Sequence, residues 1–193
     1  MKTFLTFIVA SVTAGISGLH AQNIHPDDQL NGPKKEYYPN GTVSREYTIV
    51  NGVPNGTYKA YSEKGILIAE QHLVDGIQQG IQKTFFESGQ VQSETNYEKG
   101  VPQGMRKEYY NNGTLKSESY LTGDPRELTG YTYVFYEDGK MKSESKVTMG
   151  RLVIAITYDK EGRITSEQTE GQIISYWYDR DGNKHTSING VEQ

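Results

Sequence analysis

The chain of 193 residues contains no cysteine, one tryptophan and four histidines, and these shortages exclude several kinds of site. Without cysteine there is no disulfide, no thiol nucleophile and no lipid-modified cysteine. A zinc site needs three or four converging ligands, and His25, His72 and His185 lie far apart in the sequence. The composition therefore predicts no metal, no cofactor and a fold held by hydrogen bonds and packing alone.

Long hydrophobic runs are absent except at the amino terminus. Lys2 precedes an apolar run from Phe4 to Leu19, and Ala21 is a suitable cleavage position, so residues 1–21 are interpreted as a signal peptide. Polar residues and glycines interrupt the run, which is too short to span a bilayer comfortably. We expect an exported protein, periplasmic or extracellular after cleavage near Ala21, with no transmembrane segment in the mature chain.

An excess of basic residues is also missing. The formal net charge is −4, and removal of Lys2 makes it −5. A nucleic-acid-binding protein needs a basic face, and an anionic membrane attracts clustered lysines and arginines. Because the basic pairs Lys34-Lys35 and Arg106-Lys107 have acidic residues nearby, neither nucleic acid nor an anionic membrane is favoured as a partner.

What the sequence does contain is a repeated glycine, with four copies 24 residues apart and three looser copies after them. An aromatic residue lies four positions before each glycine, and a glutamate lies five positions after six of the seven. A fixed period of this length indicates one supersecondary unit stacked along an axis. The glycines are Gly41, Gly65, Gly89, Gly113, Gly139, Gly162 and Gly182; the aromatic residues are Tyr37, Tyr61, Phe85, Tyr109, Phe135, Tyr158 and Tyr178; the glutamates are Glu46, Glu70, Glu94, Glu118, Glu144 and Glu167.

Each unit predicts a β-hairpin. Turn pairs such as Asn40-Gly41 and Asp138-Gly139 favour two-residue type I′ turns, in which both residues have positive φ. With that register Tyr61 faces Ile68, and four lysines face four glutamates: Lys35 and Glu46, Lys59 and Glu70, Lys83 and Glu94, Lys107 and Glu118. Tyr133 and Ile156 face Glu144 and Glu167. We expect each exposed ion pair to contribute some tenths of a kcal/mol and mainly to fix the register.

The predicted fold is therefore all-β, a single-layer twisted stack of antiparallel hairpins. We expect a flexible leader at 22–31, a regular array at 32–150, degenerate capping units at 151–187 and a frayed end at 188–193. Of each aromatic pair, one row should pack between hairpins and the other could be exposed. The irregular loop at 122–130 is either a functional loop or, as we favour, a tolerated insertion.

The recurring pattern of two aromatics, glycine, an aliphatic residue and glutamate resembles the bacterial variant of the MORN repeat (membrane occupation and recognition nexus). KEYYNNGTLKSESYLTG at 107–123 and EYYPNGTVSREYTIVNGVPNG at 36–56 carry the resemblance best, and it covers about residues 32–150. YDKEGRI at 158–164 and YDRDGN at 178–183 are closer to tyrosine-aspartate repeats. The resemblance implies a stack of hairpins without catalytic residues, and its relatives include exported proteins and proteins labelled as antitoxins.

Candidate chemistry in the remaining residues is weak. Six equivalent glutamates lack the asymmetry that gives an acid and a base different pKa values, so we predict no catalytic residues. The segment from Asp179 to Asn183 is similar to part of a calcium loop, but an Asp- and Gly-rich hairpin turn explains it better. His72 lies at a strand position that we interpret as surface.

A non-enzymatic exported module that binds another protein is thus the leading hypothesis. An immunity or antitoxin protein that binds a secreted toxin is one alternative, and a cell-surface carbohydrate binder is another. Exposed tyrosines would suit either protein or carbohydrate contact.

Overall fold

A computed structural model describes residues 31–122, 129–189 and 191–192. These residues form seventeen strands and no helix, which confirms the all-β prediction. The strands are β1 (Gly32–Tyr37), β2 (Val43–Val50), β3 (Val53–Pro54), β4 (Gly56–Tyr61), β5 (Leu67–Val74), β6 (Ile77–Gln78), β7 (Gly80–Phe85), β8 (Val91–Glu98), β9 (Val101–Tyr109), β10 (Leu115–Leu121), β11 (Gly130–Phe135), β12 (Met141–Thr148), β13 (Arg151–Tyr158), β14 (Ile164–Thr169), β15 (Gln172–Tyr178), β16 (Lys184–Ile188) and β17 (Val191–Glu192).

The strands follow one another through a single open antiparallel sheet. β1 pairs with β2, and the pairing continues in chain order to β16 and β17. β3 and β4 both pair with β2, because Asn55 interrupts what is otherwise one strand, and β6 and β7 pair with β5 in the same way. The segment predicted to hold degenerate units, 151–187, continues the sheet as β13 to β16.

The sheet is a single layer without a packed core in the described residues. Leu73 is the buried hydrophobic residue there, at 8% exposure, and no side chain is fully buried. Most residues on both faces are half-exposed. Stability must therefore come from the hydrogen-bond ladder and from cross-strand side-chain pairs, and both faces remain accessible.

The turns that carry the repeated glycines are not of the predicted type. Gly41 has φ 85°, but Asn40 before it does not have positive φ. The Gly41 N–H donates to the Tyr38 carbonyl at 2.9 Å, and the Tyr38 N–H donates to the Thr42 carbonyl at 2.8 Å. This is a three-residue loop, a type I turn closed by a left-handed glycine, and the same two bonds recur at the other six tips. The type I′ prediction at these positions is wrong.

The predicted register nevertheless holds away from the turn, because a bulge compensates for the longer loop. Tyr61 pairs with Leu67 instead of Ile68, and Ala60 pairs with Ala69, so Ile68 is an extra residue on β5. Beyond this bulge Lys59 faces Glu70, as predicted. The first six hairpins have the same irregularity at the same place.

Two-residue turns with positive φ at both positions occur at the other edge of the sheet, between hairpins. Asn51 and Gly52 have φ 52° and 79°, and they join Val50 to Val53. Asp75-Gly76, Lys99-Gly100 and Met149-Gly150 have the same geometry. The two glycine series of the sequence thus serve two different turns.

At the carboxyl end, the segment predicted to fray includes Ile188 in β16 and the short strand β17, which pairs with β16. Residues 1–30, with the predicted signal peptide and most of the leader, lie outside the described residues. So do residues 123–128 of the irregular loop.

Candidate functional site

One face of the sheet carries a row of alternating charges. Glu46 on β2 lies between Lys35 on β1 and Lys59 on β4, and the alternation continues across eight strands. We call this row the charge ladder and the face that bears it the ladder face. Its members in order are Lys35, Glu46, Lys59, Glu70, Lys83, Glu94, Lys107 and Glu118.

The four predicted ion pairs within hairpins are present. The nitrogen-to-oxygen distances are 2.7 Å for Lys35 and Glu46, 3.6 Å for Lys59 and Glu70, 3.2 Å for Lys83 and Glu94, and 3.5 Å for Lys107 and Glu118. Each glutamate side chain is 22–40% exposed, so the ion pairs that were predicted to be exposed are half-exposed. The charges remain accessible to a partner.

Tyrosines of the next hairpin bind some of these glutamates. The Tyr61 hydroxyl donates to Glu46 at 2.8 Å, Tyr109 donates to Glu94 at 3.1 Å, and Tyr158 donates to Glu144 at 2.5 Å. Hydrogen bonds from Lys35 and Tyr61 lower the pKa of Glu46. Burial and the acceptor carboxylates raise the pKa of Tyr61 and Tyr109, and the Glu144 hydrogen bond together with burial raises the pKa of Tyr158 to about 12.

The later hairpins keep the predicted register although they lack the lysines. Tyr133 pairs with Glu144 and Ile156 pairs with Glu167, at the positions that lysines occupy in the first four hairpins. The register relative to the tip glycine is unchanged. In these later hairpins turns and bulges accompany the same register without lysines, and the register role of the Lys–Glu pairs in the first four hairpins stays a prediction.

Beside the charge ladder runs a strip of exposed apolar side chains. Val50 is four residues after Glu46 and Val74 is four residues after Glu70, so strand alternation places both on the ladder face. Their neighbours across the two-residue turns share that face, as do Val101 and its cross-strand partner Glu98, so one charged residue interrupts the strip. The members of this apolar strip are Val50, Val53, Val74, Ile77 and Val101, at 38–51% exposure.

Where the lysines end, the ladder face becomes aromatic and aliphatic. Tyr120 stacks on Tyr131 with ring centroids 6.4 Å apart, and Tyr131 lies 5.1 Å from Tyr133. With Ile154 and Ile156 they line a groove of about 590 Å³, which Glu144 and Lys146 also border. We call this the tyrosine groove.

The second aromatic row lies on the opposite face and joins successive hairpins. The Tyr38 hydroxyl donates to the Tyr61 carbonyl, Tyr110 to Phe135 and Tyr136 to Tyr158, all at 2.8 Å. Neither row is exposed as a whole: the side chains are half-buried apart from the terminal Tyr37, at 59% exposure. These hydrogen bonds were not predicted from the sequence, although a tyrosine 22–25 residues before an aromatic residue is a usable signal.

The other candidate residues have structural partners. The Asp179 carboxylate accepts the backbone N–H groups of Asp181 and Asn183, which supports the hairpin-turn interpretation over a calcium loop. The His185 ring stacks on Trp177 at 5.5 Å. Among the described residues, no group of three or more His, Asp or Glu is placed to hold a metal ion.

These features define a repeat protein made of stacked β-hairpins with one chemically patterned face. The family described as MORN repeat variant matches residues 30–51, 78–99, 102–121 and 128–147. These four segments of the chain are therefore repeats of the MORN variant type. The four matches lie almost entirely within the expected range of 32–150, although the hairpin of β4 and β5 is not among them.

No match to a curated protein is found for this chain. Within 31–122, 129–189 and 191–192, no helix is long and apolar enough to cross a membrane.

Proposed function

We propose that this chain is a non-enzymatic protein-binding module that takes up a partner polypeptide on the ladder face. The observation that carries the proposal is the apolar strip on the same face as the charge ladder, separated from it by one row of side chains that includes the exposed Ile81 and Met105. Protein interfaces combine an apolar centre with a polar rim, and contiguous exposed apolar surface is uncommon unless it has a binding role.

The composition of the strip supports this proposal. Val50, Val74 and Val101 are 43–44% exposed and Ile77 is 51% exposed, on neighbouring strands of one accessible face. β-branched side chains on a rigid sheet lose little conformational freedom when a partner covers them. The charges beside them would orient the partner and add specificity more than affinity.

A non-enzymatic role agrees with the equivalence of the carboxylates. Glu46, Glu70, Glu94 and Glu118 each face a lysine in the same way, so no pair is set apart as acid and base. MORN repeats are generally binding modules, and the repeated surface is suited to that use.

Export is part of the proposal and rests on the sequence of residues 1–21. Mass spectrometry of the amino terminus of the protein from cell fractions and medium tests it. A terminus at Gln22 in an extracytoplasmic fraction is the expected result. An intact Met1 terminus in the cytoplasm would contradict export without affecting the binding proposal.

Photo-crosslinking tests the binding face. A photoreactive amino acid at Ile77, in the strip, should capture a defined polypeptide, whereas the same group at Gln82 should not, because Gln82 lies on the opposite face beside Thr95. Val74→Asp should abolish the capture at Ile77. Equal crosslinking of a polypeptide from Ile77 and Gln82, or crosslinking at Ile77 that persists in Val74→Asp, would contradict the proposal.

A further inference from the structure

We propose that the ladder face binds a second copy of this chain, with the two sheets packed face to face about a two-fold axis that runs along the strands. The inference rests on the proposed function in using the same face, and it goes further by naming the occupant. Its basis is the order of charges in the ladder.

Eight alternating charges that begin with lysine and end with glutamate are complementary to their own reversed order. A two-fold axis between β5 and β7 reverses the row, so that Lys35 meets Glu118 of the second copy and Glu46 meets Lys107. Lys59 then meets Glu94, and Glu70 meets Lys83. Every charge of the ladder in one copy then faces the opposite charge of the other, because the ladder has an even number of alternating charges.

The same axis brings four of the five residues of the apolar strip onto one another, while Val53 faces Glu98. Rotation about the strand direction leaves positions along each strand unchanged, so ladder lies over ladder and strip over strip. Val74 then faces Ile77 of the second copy, and Val50 faces Val101. An axis perpendicular to the strands would instead set like charges opposite each other, so the charge order selects one of the two arrangements.

The size of the patch is that of a stable interface. Eight strands at about 4.8 Å and about six residues per strand at about 3.3 Å cover about 750 Å² per copy, close to the 800 Å² per partner typical of specific complexes. Packed sheets lie about 10 Å apart, which leaves room for lysine and glutamate side chains to meet.

A second copy would also supply the covering layer that this single sheet lacks. Sheets normally bury one apolar face against another layer, and the described residues of this chain supply none. Enclosing charges is costly unless each has a partner. In the dimer each charge of the ladder has an opposite charge beside it in its own sheet and another opposite charge in front of it in the second sheet. Few surfaces of other proteins would offer charges in this order.

Two charge-reversed variants test this arrangement. Variant one carries Lys59→Glu and Lys107→Glu, and variant two carries Glu46→Lys and Glu94→Lys. Each alone would set like charges face to face in a homodimer, whereas a mixture restores every opposed pair. Sedimentation velocity over a concentration series, on the chain purified in the form the cell produces, measures the association.

We expect the wild type to sediment at twice the chain mass and each variant alone to associate about tenfold more weakly or worse. Their equimolar mixture should recover dimers that contain one chain of each kind. A matched control reverses the tip charges, Lys64→Glu with Glu87→Lys, and should dimerise like the wild type. Circular dichroism of each variant identifies any loss of fold.

A further variant, Val74→Asp, tests the apolar strip. It should weaken association without altering the charge ladder.

A monomeric wild type, or a mixture that associates no better than the separate variants, overturns the inference. If the wild type is monomeric while Ile77 still captures a foreign polypeptide, the proposed function stands and only the identity of the occupant is wrong. If the wild type dimerises and Val74→Asp does not weaken the association, the dimer uses another surface and the inference fails.

Discussion

The first four hairpins, β1 to β10, and the later strands, β11 to β16, have the same backbone plan but different chemistry. In the first region lysines and glutamates alternate across the ladder face. In the second Tyr133, Ile156 and Ile174 occupy the lysine positions beside Glu144 and Glu167. Because the sheet continues without a change of register, the lysines are not what builds the sheet. Our proposal assigns the row of charges in the first region to recognition of a partner.

The hairpin tips change near the end of the second region. Tyr38 and Tyr110 of the first region donate to a carbonyl of the next hairpin, and Tyr136 of the second region does the same. At the last two tips Asp159 and Asp179 occupy that position and accept backbone N–H groups of their own turns. Tyrosine contacts between hairpins therefore reach as far as the fifth tip, and the last two tips are held by contacts within each hairpin.

The largest effect is expected from Gly130→Ala, at the start of the second region. A Cβ at Gly130 would lie 2.5 Å from the Tyr120 carbonyl oxygen, so the new methyl group would push β10 and β11 apart. We expect a loss of about 2–3 kcal/mol in the free energy of unfolding, measured by urea denaturation. Gly80, the matching glycine of the first region, has φ 78° and open space around it. Gly80→Ala should cost only about 1 kcal/mol, and equal losses at both sites would contradict this contrast.

Tyr158→Phe comes next. Removing the hydroxyl deprives Glu144 of its donor, and no lysine faces that carboxylate across the strands. We expect a loss of about 1–2 kcal/mol. In the first region Tyr61→Phe should cost less, because Lys35 still pairs with Glu46 at 2.7 Å. Comparison of the two unfolding free energies in urea checks this, and a larger loss for Tyr61→Phe would show that the lysine gives Glu46 no support.

Much of the difference between the first four hairpins and the later strands could be predicted from the sequence. The 24-residue period gave the hairpins, and the lysine and glutamate positions gave their pairing, because a strand alternates with period two whatever its turn. The type of turn at the hairpin tips could not be predicted. Asn40-Gly41 and Asn51-Gly52 are the same dipeptide, yet only the second forms a two-residue turn with positive φ at both positions. The compensating bulge at Ile68 depends on pairing across the whole hairpin, which no local pattern records.

The site was less predictable than the fold. The strip of Val50, Val74 and Val101 resembles ordinary strand residues in the sequence, and only the absence of a covering layer makes it a surface. The tyrosine ties between hairpins depend on the distance between neighbouring strands. The distance between neighbouring strands is set by the three-dimensional stack. The separation of two residues along the sequence therefore indicates such a hydrogen bond only when the stacking of the hairpins is already known.

A smaller, pH-dependent effect is expected at the last tip. The Asn183 amide, the turn N–H groups and His185 hold the pKa of Asp179 at about 2. Since this folded-state pKa lies below the ordinary value of about 3.9, the contribution of Asp179 to stability is present above pH 4 and is lost as the pH falls toward 2. Hydrogen exchange of the β16 amides at several pH values measures it. Asp179→Asn should remove the pH-dependent part, and an unchanged profile would contradict the assignment.

The smallest effects on stability are expected in the ladder itself, and they carry the central claim. Lys59→Gln, Lys83→Gln and Lys107→Gln should each change the free energy of unfolding by some tenths of a kcal/mol, as half-exposed ion pairs do. The most direct measurement combines the three changes in one chain and records cross-strand NMR contacts together with self-association. The account predicts that position 59 still faces Glu70 while association through the ladder face is lost. A slipped or unfolded sheet, or association equal to that of the wild type, would contradict it.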